Sequence, residues 1–301
     1  MNYDIFIIGG GPAGLTAAIY GSRAGFRVAV AEQALPGGQM SQTHLIENYP
    51  GFPQGIDGFS LGELFAKQAK QWGAELLPLT VTALSRVGDL WQIQTNRGTY
   101  AAGHVVFAGG AKPRTLGIPG EEKYRGFGVS YCGTCDGPLY RNKDVILIGS
   151  GNAAFQEGDF LLKFVKSLTL IGHSPEFKAQ KALIDKVTAG ENVTLLPNRE
   201  TLEILGDDYA TGVRLFNKVT EKEEIRHGDG IFIFIGHAPD TSLYQNLTET
   251  DATGRIITDS GCACSPKGLY AIGDIRSKEV FQIATAIGDG ATVIHTIQNR
   301  R

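Results

Sequence analysis

Cysteine is scarce in this chain, and this scarcity excludes a fold held together by disulfide bonds. There are four cysteines among 301 residues, whereas small disulfide-stabilised domains are dense in them. No stretch approaches the ~18 uninterrupted apolar residues of a membrane-spanning helix, and residues 1–8 lack the basic start and cleavage site of a secretory signal. We therefore expect a cytoplasmic protein without a membrane segment, in a compartment that keeps thiols reduced.

An excess of positive charge is lacking as well. The formal net charge is −3 and there is no long run of Lys or Arg, whereas nucleic-acid binding depends on a strong positive field. We therefore predict no nucleic-acid partner. With 42% hydrophobic and 20% charged residues the composition is that of an ordinary globular protein, and the length is sufficient for two domains.

Two of the four cysteines, Cys132 and Cys135, are two residues apart and are followed by Asp136. This spacing permits a small-loop disulfide, and a lowered thiol pKa would leave one sulfur as a thiolate that attacks another disulfide. Asp136 would exchange a proton with the departing sulfur. Half of a zinc site is the alternative, but such a site needs four ligands, and Cys262 and Cys264 are only one residue apart. We therefore predict redox chemistry, no metal site, and buried thiols at Cys262 and Cys264.

The N-terminal strand-like run ends in a glycine-rich turn that precedes a helical segment. Gly9 permits the tight turn, Gly11 lets the backbone approach a pyrophosphate, and Gly14 allows close packing of the helix on the strand. A second strand ends in Glu32, about 20 residues on, where a carboxylate accepts hydrogen bonds from a ribose. The pattern predicts a dinucleotide-binding βαβ unit; a glycine turn in an unrelated α/β fold is the alternative.

The same pattern returns later in the chain. Residues 145–148 form a second apolar strand, which leads into a glycine turn at 149–151, a helix and a further strand at 167–171. A second nucleotide-type unit therefore begins here. We also predict a scaffold helix over 60–73 and an irregular loop in the Gly- and Pro-rich stretch at 36–53.

In their order and total length these motifs resemble the low-molecular-weight thioredoxin reductases, flavoproteins with two dinucleotide-binding domains. The resemblance covers essentially the whole chain and implies an α/β fold of two Rossmann-like three-layer ββα domains, the second inserted in the first. It implies an FAD-binding domain over 1–112 and 243–301 and an inserted NAD(P)-like domain over 113–242. Its most specific marks are Cys132-Gly133-Thr134-Cys135-Asp136-Gly137, Gly37-Gly38-Gln39, Glu47-Asn48-Tyr49-Pro50-Gly51, and Gly273-Asp274 with Gln282 beyond.

The resemblance also implies the site and the partners. Cys135 would face the flavin, Cys132 would attack the disulfide of thioredoxin or a thioredoxin-like protein, and Asp136 would manage protons. In the family the inserted domain rotates, and the enzyme is a homodimer. The cofactor-binding set for FAD would be Gly9, Gly11, Pro12, Ala13, Gly14, Glu32, Gln33, Gly38, Gln39, Asn48, Asp274 and Gln282.

One departure from the family concerns the electron donor. Members that use NADPH carry His-Arg-Arg where this chain has Gly172-His173-Ser174, and the arginine fork that grips a 2′-phosphate is replaced by neither serine nor histidine. Lys178 is the nearest cation in the sequence. We therefore expect a donor other than NADPH, as in the pyridine-nucleotide-independent reductases, including those that use ferredoxin. An ordinary NADPH-dependent reductase, a second flavin in this cleft and a non-catalytic redox sensor are the alternatives.

Overall fold

The structure is a computed structural model that describes residues 2–43, 46 and 48–300, and only the backbone of Gln42, Thr134 and Cys135. The chain forms two compact units, one of Met1–Lys112 with Ala238–Arg301 and the other of Pro113–His237. In chain order, the strands are β1 (Asn2–Ile8), β2 (Val28–Ala31), β3 (Glu75–Leu77), β4 (Val81–Val87), β5 (Leu90–Thr95), β6 (Gly98–Phe107), β7 (Lys112–Pro113), β8 (Val129–Ser130), β9 (Asp144–Ile148), β10 (Ser167–Ile171), β11 (Val193–Leu196), β12 (Arg199–Gly206), β13 (Ala210–Asn217), β14 (Lys222–His227), β15 (Gly230–Ile233), β16 (His237–Ala238) and β17 (Leu269–Ala271).

The α-helices lie between strands β1 and β3, between β8 and β11, and after β17. The α-helices are α1 (Pro12–Arg23), α2 (Gly58–Gln71), α3 (Gly133–Asp136), α4 (Asn152–Leu161), α5 (Lys181–Thr188) and α6 (Ile283–Asn299), and short 3-10 helices cover Gly38–Gln42, Gly137–Tyr140 and Gly273–Ile275. Several boundaries have local causes. Pro12 occupies the first turn of α1, where a missing N–H costs nothing. The Asp57 carboxylate caps α2 by accepting the Ser60 N–H at 2.8 Å.

The first unit is built on a sheet with strand order β3-β2-β1-β6-β5-β4, and β17 also pairs with β6. Strands β3, β2, β1, β6 and β17 run parallel, while β4 and β5 are antiparallel neighbours. β6 pairs with β5 through its first half and with β17 through its second half. Helices α1, α2 and α6 pack together beside the sheet, and an apolar cluster that includes Ile5, Leu15 and Val293 is buried there.

The second unit repeats this plan on a smaller scale. Its five-stranded sheet has the order β11-β10-β9-β15-β8, with every pair parallel. Helices α4 and α5 cover one apolar cluster, and the antiparallel sheet β12-β13-β14 covers the other. Strands such as β9 and β15 are buried along almost their whole length, as expected for parallel strands covered on both faces. Both units thus have the α/β dinucleotide-binding architecture that the sequence predicts.

One local prediction was wrong. We expected an irregular loop from residue 36 onward, but Gly38–Gln42 forms a 3-10 helix. Gly37 precedes it with φ of +111°, a conformation that glycine adopts without strain. The glycine pair therefore makes a defined turn into a short helix and does not simply break regular structure.

Candidate active site

The first glycine turn joins β1 to α1 and leaves a helix N-terminus open to an anion. Gly9 has φ of +112° and donates its N–H to the Ala31 carbonyl at 2.9 Å. A Cβ on Gly14 would overlap the Gly9 carbonyl, so α1 packs closely against the turn only with glycine there. The first N–H groups of a helix have no intrahelical partner, so those of Ala13 and Gly14 are available to an anion such as a pyrophosphate.

Glu32 lies beside this turn. Its Oε2 accepts the Gly10 N–H at 2.8 Å, and its Oε1 accepts the Ala34 N–H at 2.9 Å. A carboxylate has about four acceptor positions, so it can also accept ribose hydroxyls. The Gln33 Oε1 accepts the Thr80 hydroxyl at 2.9 Å.

Glu32 also lines a cavity of ≈ 220 Å³ that extends from the glycine turn. Most of its wall is apolar, which suits the adenosine half of a dinucleotide. Its lining includes Gly9, Glu32, Gln33, Leu79, Thr80, Val81, Lys112, Asp240 and Tyr244. The sequence did not identify the residues at 79–81 or 240–244, because they come from elements far along the chain and carry no motif.

The segment at 37–39 packs against the glycine turn. Gly37 donates its N–H to the Gly10 carbonyl at 2.8 Å, and a Cβ on Gly38 would lie 3.2 Å from the Gly11 Cα. The Gln39 amide donates to the Ala111 carbonyl, which follows β6. Two predicted segments, the glycine turn and the Gly-Gly-Gln segment, are thus in direct contact.

Of the remaining predicted cofactor residues, Gln282 lies at the start of α6, Asn48 contacts it, and Asp274 lies in the 3-10 helix Gly273–Ile275. The Gln282 side chain caps this helix together with Thr285, and its Oε1 accepts the Asn48 amide at 3.0 Å. The Asp274 carbonyl accepts the Arg255 guanidinium at 3.3 Å. The structure therefore brings Asn48 to Gln282 across 234 positions of sequence. Glu47, part of the motif that suggested Asn48, lies outside the described residues.

A buried ionic network that the sequence did not reveal supports the Gly273-Asp274 turn. The Asp289 carboxylate accepts the Gly273 N–H at 2.9 Å, Arg276 at 2.8 Å and Lys278 at 3.1 Å. The three charged side chains are only 11–15% exposed. Lys278 Nζ also lies 3.9 Å from the Asp274 carboxylate. Asp289 thus holds the backbone of the turn and pairs with both neighbouring cations, Arg276 and Lys278.

We expect Asp289→Asn to destabilise the protein by about 3 kcal/mol, because two nearly buried cations lose their carboxylate. Chemical denaturation followed by circular dichroism measures this loss. Asp185→Asn is the matched control: its ion pair with Lys181 is 58% and 86% exposed, so we expect a change below about 0.5 kcal/mol. Equal losses in the two variants would contradict a structural role for the network.

The redox segment, residues 131–137, begins directly after β8, and hydrogen bonds fix its first residues. The Ser130 hydroxyl, 4% exposed, accepts the Cys132 N–H at 3.1 Å. Tyr131 donates its hydroxyl to Glu121 at 2.6 Å, and the same buried carboxylate accepts the Leu116 and Gly117 N–H groups. Burial and this hydrogen bond raise the pKa of Tyr131, so it remains a neutral donor.

Cys132 itself is half-buried and disulfide-bonded. Cys135 belongs to α3, but its side chain lies outside the described part of the structure. Asp136 ends this short helix and donates its N–H to the Cys132 carbonyl at 3.2 Å. Cys132 and Asp136, two of the three predicted catalytic residues, therefore lie on the same turn of backbone.

Cys262 and Cys264 are buried free thiols, as predicted. Burial raises the pKa of each to about 12, so both stay protonated at neutral pH. Because the thiolate is the nucleophile, this argues against a second disulfide relay.

The end of β10 differs from what the sequence suggested. We took Lys178 as the nearest cation, but the structure places Lys218 there: its Nζ lies 2.7 Å from His173 Nε2 and 3.3 Å from the His173 carbonyl. Lys218 follows β13, and its N–H donates to the Asn198 carbonyl, while the Asn198 N–H donates to the Ser174 carbonyl. Two backbone hydrogen bonds therefore attach the β13–β14 turn to this site. The local sequence contains no pattern that predicts this contact.

The same segment folds onto the second glycine turn. The Lys178 N–H donates to the Ser150 carbonyl at 2.7 Å, and the Phe177 ring packs edge-on against Phe155 of α4 at 5.4 Å. The second unit therefore keeps a strand, a glycine turn, a helix and a cationic strand end in one place, which is the arrangement of a nucleotide site.

Comparison with known proteins defines the class. The sequence model of the pyridine nucleotide-disulphide oxidoreductases matches residues 3–290. A thioredoxin reductase from Listeria monocytogenes is 39% identical over 289 residues, which are 96% of this chain and 90% of that protein. Among solved structures, thioredoxin reductase from Lactococcus lactis has a TM-score of 0.93 at 36% identity, covering 99% of this chain and 98% of its own. The T. acidophilum enzyme has a TM-score of 0.91 at 35% identity, with coverage of 99% and 98%.

The chain therefore belongs to the pyridine nucleotide-disulphide oxidoreductases and, within them, to the thioredoxin reductase family. It is an enzyme, a flavoprotein disulfide oxidoreductase with the predicted α/β dinucleotide-binding fold. Among the described residues, every helix is too short or too polar to cross a bilayer.

The family implies FAD, and the residues of the first unit fit it. The glycine turn presents backbone without side chains at Gly9, Gly10 and Gly11, and a Cβ on Gly11 would meet only the Gly38 Cα at 4.0 Å. The adjacent cavity is lined by Glu32. When bound, FAD supplies the two-electron chemistry that a disulfide requires. The residues of the first unit would bind and orient this cofactor.

Proposed function

We propose that this enzyme reduces the disulfide of thioredoxin or a thioredoxin-like protein through Cys132 and Cys135, with NADPH as the electron donor. The observation that carries the first part is the disulfide-bonded Cys132, held by Ser130 at the entry of the Cys-x-x-Cys segment. The listeria and lactococcal relatives, named as thioredoxin reductases, support the choice of substrate.

The chemistry of the cysteine pair follows from thiol–disulfide exchange. After two electrons open the Cys132–Cys135 disulfide, the Cys132 thiolate attacks one sulfur of the thioredoxin disulfide and the other sulfur leaves. Cys135 then attacks Cys132 in the mixed disulfide and releases reduced thioredoxin. Asp136, on the same turn, gives or takes the proton at the departing sulfur.

A steady-state assay with oxidised thioredoxin tests this proposal. The purified flavoprotein, NADPH and oxidised thioredoxin should produce two thiols for each NADPH consumed. Consumption of NADPH without new thiols on thioredoxin would contradict the choice of substrate.

The end of β10 supports NADPH as the donor. From the sequence we expected a donor other than NADPH, because the arginines are missing. However, Lys218 and His173 form a cationic group at the end of β10, where a 2′-phosphate would lie. The family to which the chain belongs is that of the pyridine nucleotide-disulphide oxidoreductases. We therefore favour NADPH, which the sequence alone favoured less than another donor.

Lys218→Met tests the cationic group directly. We expect the KM for NADPH to rise about tenfold, because a charge-assisted contact to phosphate is worth at least ~1.4 kcal/mol. The KM for NADH, which lacks the 2′-phosphate, should stay unchanged. The control is Lys222→Met, an exposed lysine four residues on, which should leave both constants unchanged. If the KM for NADPH were unaltered in the Lys218 variant, this support for NADPH would be removed.

A ferredoxin-type donor remains the second candidate, favoured by the sequence Gly172-His173-Ser174. A single lysine beside a histidine lacks the bidentate fork of arginine. Anaerobic titration of the flavin absorbance with NADPH, NADH and reduced ferredoxin separates the two. Bleaching by stoichiometric NADPH supports the main proposal, whereas bleaching by ferredoxin alone supports the second.

A further inference from the structure

A half-buried glutamate with one fully buried carboxyl oxygen lies against the redox segment. Glu157 belongs to α4, and its Oε2 is buried and has no hydrogen-bond partner in the described part of the chain. A Cβ on Gly133 would overlap this oxygen, so the carboxyl group contacts the backbone of the residue that directly follows Cys132. Helices α3 and α4 pack against each other, and both belong to the second unit.

An ionised carboxylate without a cationic partner is costly in such a place. A buried ionised group without a partner gives up its hydration, and the usual response is to bind a proton. Burial raises the pKa of Glu157, while the Gly133 N–H acts in the opposite direction. Glu157 therefore holds its proton to higher pH than an exposed glutamate does.

The charges around α4 do not supply a partner. Asp144 pairs with Lys166 at 3.1 Å, Lys181 with Asp185 at 2.7 Å, and Lys186 with Asp159 at 2.8 Å. Tyr140, which precedes β9, has its pKa raised by burial and stays neutral. On the described elements that pack against α4, the charged residues are Asp136, Asp144, Lys181, Asp185 and Lys186. Of these, Asp136 belongs to the redox segment, and Cys132 directly precedes Gly133, which Glu157 contacts.

We propose that Glu157 is a redox-linked proton site: it binds a proton when the cysteine disulfide opens to a dithiol and releases it when the disulfide closes. This inference rests on the proposed function, because it takes Cys132 and Cys135 as the redox pair. Glu157 contacts Gly133 and acts on the sulfurs through its charge, so it is a positioning residue.

The step balances as follows. Two electrons, delivered by the flavin chemistry of the family, break the S–S bond and leave two thiolates. One thiolate is protonated, and the negative charge of the other favours the neutral form of Glu157, which takes a proton from solvent. When the pair reduces its substrate, the S–S bond forms again and the electron pair passes to the substrate disulfide. The substrate thiolates and solvent receive the thiol proton and the Glu157 proton.

The test measures the reactivity of Cys132 in Glu157→Gln, with Asp159→Asn as control. Asp159 lies on the same helix, but its carboxylate is paired with Lys186. Flavin-loaded protein is reduced with dithiothreitol, desalted anaerobically and pulsed with iodoacetamide between about pH 5 and 9, a range that spans perturbed thiol pKa values. Mass spectrometry of the Cys132 peptide separates this thiol from the buried cysteines. Flavin content and the unfolding midpoint establish that each variant is folded.

In the wild type we expect the alkylation rate to rise in two steps with pH, because two coupled groups titrate. Glu157→Gln should give a single step whose midpoint is lower by about one pH unit, which is about a tenfold faster alkylation on the rising limb. Asp159→Asn should match the wild type, and Glu157→Asp should restore the two steps, which keeps the test valid if the Gln variant does not fold.

Superimposed profiles for Glu157→Gln and the wild type would overturn the inference. So would an Asp159→Asn profile shifted as much as that of Glu157→Gln, or a Cys132 that no pH makes reactive after reduction. Neither NADPH nor thioredoxin takes part in this experiment. A failure of the thioredoxin assay with a two-step profile intact would therefore count against the proposed substrate, and not against Glu157.

Discussion

Cys132→Ser is expected to abolish thioredoxin reduction, with a loss of about a thousandfold or more in kcat. A serine hydroxyl forms no disulfide and, with a far higher pKa, supplies no nucleophile comparable to a thiolate. The flavin should remain bound, because Cys132 lies in the second unit and the predicted FAD residues lie in the first. The measurement is the thioredoxin assay, normalised to flavin content.

Cys264→Ala is the matched control for this loss. Cys264 is a buried free thiol of the first unit, and its raised pKa keeps it out of thiol exchange. We expect this variant to turn over within about twofold of the wild type, since a small buried side chain acts through packing. A Cys132→Ser enzyme that worked at a rate close to that of Cys264→Ala would refute the cysteine relay.

A related experiment shows which of the two cysteines attacks thioredoxin. If Cys132 attacks thioredoxin and Cys135 resolves the mixed disulfide, Cys135→Ser should accumulate a covalent complex with thioredoxin on non-reducing gels. Cys132→Ser should not. The opposite result would exchange the roles of the two cysteines and leave the relay itself in place.

Gly11→Ala is expected to cost the enzyme its FAD while leaving the fold intact. Gly11 has φ of −77° and ψ of −174°, which any residue adopts, and a Cβ there would meet only the Gly38 Cα at 4.0 Å. The added methyl group would instead occupy the space through which the pyrophosphate approaches the backbone. We expect FAD to bind about 100-fold more weakly, equivalent to ~2.8 kcal/mol.

Fluorescence titration of the apoprotein with FAD measures this change, and circular dichroism reports the fold. Gly288→Ala provides the control, because Gly288 is exposed on α6 and a Cβ there would have only open space around it. It should bind FAD as the wild type does. Gly14→Ala, by contrast, would place a Cβ on the Gly9 carbonyl and is expected to disturb folding itself. Normal FAD affinity in Gly11→Ala would show that the pyrophosphate does not rest on this turn.

Some parts of the fold and of the site can be predicted from the sequence alone. The glycine turn and Glu32 were predictable because the chemistry of a dinucleotide demands them at a fixed spacing within one βαβ unit. The parallel strands were predictable because a strand that is buried on both faces has a continuous run of apolar residues in its sequence. In both cases the signal lies within a short stretch of chain.

Lys218 and Asp289 could not be predicted in the same way. Lys218 reaches His173 from 45 positions away, through a β-turn attached by two backbone hydrogen bonds, and its own neighbours in the sequence are unremarkable. Asp289 lies on α6 and reaches back to Gly273 at 2.9 Å. Glu157 belongs to a helix whose apolar pattern suggests scaffold, and only packing shows that its carboxyl group meets Gly133. Such contacts depend on tertiary structure. The residues at the donor site and the charged groups near the cysteines could therefore be identified only in the structure.

The most direct test of the central claim is the reoxidation of the flavin by thioredoxin in the absence of any nucleotide. The enzyme is reduced anaerobically with dithionite, mixed with oxidised thioredoxin in a stopped-flow spectrophotometer, and followed by its flavin absorbance. We predict that the absorbance returns rapidly and stoichiometrically in the wild type and fails to return in Cys132→Ser. A wild-type flavin that stays reduced in the presence of thioredoxin, or a Cys132→Ser flavin that recovers equally fast, would contradict the account.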